Sequence, residues 1–121
     1  MLLCNAIQTP DGTVLESHHR HDFVKHTDKN GKDYFIDGGL AYCKRSYNGD
    51  EVFVGCCTDS PFEEIREKFK WGTRGKTGDE PLRYIQLKDL TTDHIKAILE
   101  TQLHIPDAII EVFEKELAYR L

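Results

Sequence analysis

Four of the six histidines fall between positions 18 and 26, in the run Ser17-His18-His19-Arg20-His21-Asp22 with His26 close behind. On an extended segment successive side chains point to opposite faces, so His19 and His21 share one side while His18, Arg20 and Asp22 share the other. A His-x-His pair on a strand is a half-site for Zn²⁺ or another divalent transition metal. His19, His21 and Asp22 are the candidate ligands, with Asp37, Cys4 or His26 as further donors. The same residues suit a phosphate ester. Arg20 offers a bidentate fork, a histidine near its ordinary pKa works as acid or base, and Asp22 can orient it. Ser17 is a candidate nucleophile, but nothing beside it marks an oxyanion hole. The plainer alternative is a solvated strand edge, because the spacing matches no established zinc pattern.

A second segment combines base, ring and glycine: Lys68-Phe69-Lys70-Trp71, running on to Arg74 and Lys76. Trp71 beside Lys70 and Arg74 can stack on a nucleobase or anchor a partner, or it packs the end of its own helix. With Arg20, the residues Lys70, Trp71, Arg74 and Lys76 are the candidate ligand contacts. The triplet Gly75-Lys76-Thr77 fails the phosphate-loop test. The full spacing needs glycine where Lys70 stands, and no helix follows directly, which excludes a nucleoside triphosphatase of that type. Asp37-Gly38-Gly39 lets backbone approach a ligand closely or makes a turn, and a turn is the expectation.

The elements that must position these groups read as hairpins first and helices second. Leu2–Gln8 and Thr13–Glu16 flank Thr9-Pro10-Asp11-Gly12, where proline presets one dihedral and glycine accepts a positive φ. Residues 23–27 and 32–36 bracket Asp28-Lys29-Asn30-Gly31, an Asn-Gly hairpin signal. Leu40 to Tyr47 fits a strand or a short helix, and Glu51 to Thr58 reads as a strand. Ser60-Pro61-Phe62-Glu63 then opens a helix over 61–71, with Phe62, Ile65 and Phe69 as its buried stripe and Gly72 as its stop. Leu82 to Leu87 is one more strand. Helices follow over 92–103, capped by Thr91 or Thr92, and 106–119, separated by Ile105-Pro106. The expected fold is α+β: an antiparallel, hairpin-rich sheet packed by three helices. It is expected as a single domain over 1–121, with hairpins in about 2–58 and helices in about 60–121.

Composition narrows the classes. Apolar residues make up 39% and charged residues 31% of a 121-residue chain, which suits one globular core rather than disorder. Apolar runs are only a few residues long, so no membrane span or membrane partner is expected. Met1-Leu2-Leu3-Cys4-Asn5 lacks the basic start and long apolar stretch of a signal peptide, and a cytoplasmic location follows as the expectation. Cys4, Cys43, Cys56 and Cys57 include no C-x-x-C pair, which disfavours a zinc knuckle. Of the adjacent pair Cys56-Cys57, one is expected to pack inward and the other to lie at the surface or an interface. A net charge of −5 argues against non-specific binding of duplex DNA, leaving Lys44-Arg45 and the Lys68–Lys76 stretch as local basic patches.

Trp71-Gly72-Thr73 followed by Pro81-Leu82-Arg83-Tyr84-Ile85-Gln86-Leu87 and the Thr91-Thr92-Asp93-His94-Ile95 helix start resembles a module of small accessory proteins of tailed bacteriophages. Thr9-Pro10-Asp11-Gly12-Thr13-Val14-Leu15, the His-Arg-His-Asp run and Asp37-Gly38-Gly39 are similar to the same group, so the resemblance runs the full length. It carries over no catalytic residue. It implies a phage or mobile-element accessory protein in the cytoplasm of an infected bacterium. Such a protein acts by binding a host protein or a small nucleotide-like ligand, as counter-defence proteins do, and self-association into a homo-oligomer is compatible with it. The alternative is a metal-dependent hydrolase of phosphate esters using His19, His21 and Asp22.

Overall fold

The computed structural model describes all 121 residues. It shows an α+β protein with three helices and three sheets, every strand pairing antiparallel. The chain divides into two compact units, residues 2–57 and Met1 with residues 58–121. The division falls where the sequence passes from hairpin signals to helical periodicity.

In the first unit, β1 (Leu2–Gln8) is the central strand of a four-stranded sheet. It pairs with β2 (Val14–Ser17) across the Thr9–Gly12 turn, in register from Gln8 opposite Val14 to Asn5 opposite Ser17. The turn closes as its chemistry dictates, with Thr9 N–H on Thr13 O at 2.9 Å and the Asp11 carboxylate accepting from the Thr9 hydroxyl and from Thr13 N–H. The second sheet joins β3 (Val24–Thr27), β4 (Asp33–Asp37) and β5 (Lys44–Arg45). Its hairpin is held by Asp28, whose side chain accepts from the N–H groups of Asn30 and Lys32 at 2.9 Å each. Ile7, Leu15, Tyr34 and Ile36 form the buried cluster between the sheets, with Val24 against it. Tyr34 is wholly buried yet keeps its hydroxyl satisfied by donating to Asp50 Oδ2 at 3.0 Å.

The stretch 40–47, open to either reading in sequence, gives only the two-residue β5, entered through turns after Asp37. The strand expected over 51–58 is split into β6 (Val52–Phe53) and β7 (Cys56–Cys57), both paired with β1. Gly55 lies at the break. A Cβ there would sit 1.9 Å from Cys4 O, so only glycine lets the two backbones approach this closely. Cys56 is buried and Cys57 half-buried, the split expected of adjacent strand residues.

The second unit carries all three helices and its own two-stranded sheet. The helix α1 (Phe62–Lys68) ends earlier than its apolar stripe suggests, because Phe69 turns extended and leads into β8 (Lys70–Thr73). β8 pairs with β9 (Arg83–Gln86) from Lys70 opposite Gln86 to Thr73 opposite Arg83. Phe69 and Trp71, two apart on extended chain, both meet Phe113, at ring-centroid distances of 5.9 and 5.4 Å. That two-residue period is what ends the helix, and Gly72 lies within β8 rather than at a helix stop. A 3-10 turn over Leu87–Asp89 precedes α2 (Thr92–Thr101), capped by the Thr91 hydroxyl accepting from His94 N–H at 3.1 Å. Pro106 precedes α3 (Asp107–Tyr119), whose Ile109, Val112 and Phe113 face the core.

One buried charge ties this unit together. Glu116 on α3 has no solvent exposure. Its carboxylate accepts from Arg66 Nε at 2.5 Å, Arg66 Nη2 at 3.1 Å and Arg120 Nε at 2.7 Å. Arg120 also donates to Thr92 Oγ1 and Leu87 O, each at 3.1 Å, and the Arg66 guanidinium lies 4.0 Å over the Tyr119 ring. Burial, the largest influence, pushes the Glu116 pKa up; the two guanidiniums outweigh it and hold the carboxyl below its ordinary value.

Candidate functional site

The histidine-rich segment is a tight connection between β2 and β3, not an extended edge. Its residues 19–21 bend and turn, and His21 takes φ 64°. No other non-glycine residue of the chain has a positive φ. Such a conformation persists only where the surroundings over-determine it. Here they do. Asp22 N–H donates to His19 O at 3.0 Å, Phe23 N–H to His21 O at 3.1 Å, and His18 N–H to Asp22 Oδ2 at 2.8 Å. The Ser17 hydroxyl, 1% exposed, donates to Asp22 O at 2.7 Å and accepts from Gly39 N–H at 2.8 Å.

The Asp37-Gly38-Gly39 turn is the floor under this loop. Gly38 and Gly39 have φ values of 95° and 52°. A Cβ on Gly39 would stand 2.5 Å from the His19 backbone, and one on Gly38 would stand 2.1 Å from Tyr42 O. The close approach is therefore between two pieces of backbone, which combines the two readings open in sequence: a turn, and a turn that something must approach closely. Asn5, fully buried on β1, donates to Asp37 O at 3.1 Å and accepts from the Cys43 thiol at 3.1 Å.

Across this floor runs a short hydrogen-bond chain. The Tyr42 hydroxyl donates to Asp37 Oδ2 at 3.4 Å, and His21 Nδ1 lies 2.9 Å from the same hydroxyl. His21 is exposed, and so are His19 and Arg20 beside it. The loop thus displays a guanidinium and an imidazole on a held backbone, equipped to bind an anionic group through Arg20.

The expected ligand trio does not become a metal set. His19 Nδ1 lies 3.0 Å from Arg20 O, His21 Nδ1 engages Tyr42, and Asp22 is occupied by His18 N–H. No group of three or more His, Cys, Asp or Glu side chains in the structure is arranged to hold a metal ion. The further donors also have other roles: His26 Nε2 meets Asp11 Oδ2 at 2.8 Å, and Cys4 is buried on β1. The physical reason is the turn. A His-x-His half-site needs the alternation of an extended strand, and the left-handed His21 removes it.

The second candidate region belongs to the other unit and has a different character from that expected. Trp71 is half-buried on β8, edge-on to Phe113, so its ring is committed to packing. Lys70 lies on the same strand, and Lys68 pairs with Glu64 at 2.7 Å. Arg74 and Lys76 are exposed in the loop joining β8 to β9, together with the equally exposed Asp79 and Glu80. A Cβ on Gly75 would meet the Glu80 carboxylate, so an acidic group lies beside the backbone between Arg74 and Lys76. The other basic patch, Lys44-Arg45, forms β5. Arg45 stacks 4.9 Å over Tyr47, with its Nη1 buried and without a hydrogen-bond partner.

No family model, no curated protein and no solved structure matches this chain.

Proposed function

We propose that the protein acts by binding, as an accessory protein of the tailed-phage kind that its sequence resembles, and that the turn His18–Asp22 is its recognition element. The ligand class is an anionic group, carried either by a nucleotide-like small molecule or by an acidic surface of a host protein. One observation supports this reading above the others. The only non-glycine residue held in the left-handed conformation, His21, sits in an exposed turn beside Arg20, on a buttress of Ser17, Gly39, Tyr42 and Asp37. Buried hydrogen bonds that hold an exposed loop in an unfavourable conformation lower the ordering cost of binding. A metal-dependent phosphate-ester hydrolase working through His19, His21 and Asp22 would need those three to converge, and they are engaged elsewhere.

Calorimetric titration with inorganic phosphate, a nucleoside monophosphate and a glutamate-rich peptide separates the two ligand sources. The binding reading expects saturable heat with at least one of these probes and a loss of at least tenfold in affinity, about 1.4 kcal/mol, in Arg20→Glu. Equal affinity of wild type and Arg20→Glu for every probe that binds, or no saturable binding to any, would remove the turn from function.

A further inference from the structure

Arg45 holds the one buried side-chain nitrogen or oxygen of the protein that lacks a hydrogen-bond partner, its Nη1. It stands on β5, the outermost strand of its sheet, opposite Ile36 of the buried cluster. Residues opposite one another in an antiparallel pair point to the same face, so the guanidinium leaves from the core-facing side. Where Arg66 and Arg120 end on Glu116, no carboxylate of the chain pairs with Arg45. A buried donor without an acceptor is costly, the more so on a charged group. A water would fill the hydrogen bond but leave the charge uncompensated, whereas an anion meets both needs.

The ring beside it is displayed rather than packed. The guanidinium lies 4.9 Å from the centroid of Tyr47, which is 78% exposed. The backbone that carries this ring is held on both sides. Ser46 N–H donates to Phe35 O at 3.0 Å, and the Ser46 hydroxyl donates to Glu51 Oε2 at 2.9 Å. Asn48 Nδ2 donates to Asp33 O at 2.8 Å, and Gly49 N–H donates to Glu51 Oε1 at 2.8 Å. With Arg45 over one face, the other face of Tyr47 is open to a flat partner.

We propose that Arg45 and Tyr47 form a nucleotide subsite, in which a base stacks on the open face of Tyr47 and a phosphate oxygen accepts from the Arg45 guanidinium. Lys44, exposed on the same strand, adds a second positive charge. Nη1 is covered in the free protein, so binding includes a turn of the Arg45 and Tyr47 side chains, a fast motion for exposed groups. Bases of every kind stack on an exposed ring, so the same unit is recognised as a free mononucleotide or within a single strand. The subsite shares no residue with the His18–Asp22 turn, and a failure of either leaves the other standing.

The test titrates inorganic phosphate, adenosine, adenosine monophosphate and a single-stranded oligodeoxynucleotide into isotope-labelled full chain, following the Arg45 and Tyr47 side-chain resonances. Adenosine monophosphate should shift both in a saturable way, at least tenfold more tightly than phosphate or adenosine alone. Tighter binding of the oligonucleotide, per nucleotide, marks a single strand as the source; equal binding marks the mononucleotide. Tyr47→Ala and Arg45→Met should each weaken adenosine monophosphate about fivefold or more, and Tyr47→Phe less than about twofold. Arg20→Glu should leave the Arg45 and Tyr47 shifts in place. Because Nη1 has no partner within the fold, Arg45→Met should change the folding equilibrium of the first unit by less than about tenfold, read by circular dichroism in urea. A larger loss of stability would mean that the guanidinium is a structural group and would overturn the proposal. So would saturable shifts at Arg20 with none at Arg45 or Tyr47, an affinity untouched by Tyr47→Ala, or no saturable binding of any probe.

Discussion

Removing the Glu116 carboxylate should destabilise the helical unit more than any other single charge deletion. The side chain is completely buried and takes three hydrogen bonds from two guanidiniums, at 2.5, 3.1 and 2.7 Å. Glu116→Ala leaves Arg66 and Arg120, whose side chains are only 20% and 21% exposed, without their shared counter-charge. Breaking a buried ion pair on one side costs about 3–5 kcal/mol, a large part of the roughly 5–15 kcal/mol that holds a typical domain. At about 4–8 °C per kcal/mol for a unit of this size, the midpoint should fall by at least ~12 °C. Trp71 is the only tryptophan and packs on Phe113 of the same helix, so its fluorescence in urea or heat reports this unit directly. Glu114→Gln, on the exposed side of α3, is the control and should stay within about 0.5 kcal/mol of wild type. The folded carboxyl of Glu116 titrates below its unfolded value of about 4.3, so its contribution is complete above that pH. It is lost as the pH falls through the folded value, and the gap between wild type and variant should hold from neutral to mildly acidic pH and narrow below about pH 4. A stability loss under ~1 kcal/mol, or a gap that ignores acid, would refute the assignment of the triad as the tie between α1, α3 and the 87–92 segment.

Four further outcomes follow from particular contacts. Gly39→Ala must place a methyl against the His19 backbone at a positive φ, and should cost about 2–4 kcal/mol in chemical denaturation while perturbing the His18–Asp22 amides. The Asp11 carboxyl is held far below its ordinary range, first by the Thr9 hydroxyl, then by His26 and the Thr13 N–H. Thr9→Val should therefore raise its NMR-titrated pKa more than His26→Ala does; the reverse order would contradict the ranking. Thr91→Ala removes a helix cap and should cost about 1 kcal/mol by urea unfolding monitored at Trp71. Arg74→Glu with Lys76→Glu should change thermal stability by ~1 kcal/mol or less, since both side chains are exposed.

Much of the architecture was written in local chemistry. The Pro-Asp-Gly and Asn-Gly turns fixed the first two hairpins, because proline, glycine and an aspartate accepting nearby N–H groups leave the backbone few alternatives. Thr91 marked a helix start for the same local reason. What failed to show was non-local. Phe69 continues the helical spacing of Phe62 and Ile65, yet the chain leaves the helix there, because Phe69 and Trp71 are needed together against Phe113, more than forty positions away. The hairpin-rich antiparallel architecture is legible, but its distribution over three sheets is not, since which strands meet depends on pairing across sequence rather than on any turn.

The site divides the same way. Arg20, His21 and Asp22 stood out as a cluster, and Asp37-Gly38-Gly39 as a turn, but nothing in either segment linked them. The link is Ser17 donating to Asp22 O while accepting from Gly39 N–H, with Tyr42 reaching both His21 and Asp37. The one hint was that Gly-Gly need not follow a strand unless backbone comes close. The metal reading rested on an extended segment, and a left-handed histidine cannot be read from its neighbours. Glu116 gave no signal at all. A glutamate in a helix is ordinary, and its burial depends on Arg66 reaching it from α1.

Whether the His18–Asp22 turn recognises an anionic group is tested most directly by a residue-resolved NMR titration. Inorganic phosphate, a nucleoside monophosphate and a glutamate-rich peptide are added in turn to isotope-labelled full chain while backbone amides and histidine rings are followed. Saturable shifts are expected at Arg20, His21 and Tyr42 with at least one probe, with loss of those shifts in Arg20→Ala. Arg74→Glu with Lys76→Glu should leave them unchanged. Saturable shifts confined to the loop between β8 and β9, or none at the turn with any probe, would contradict recognition by the turn.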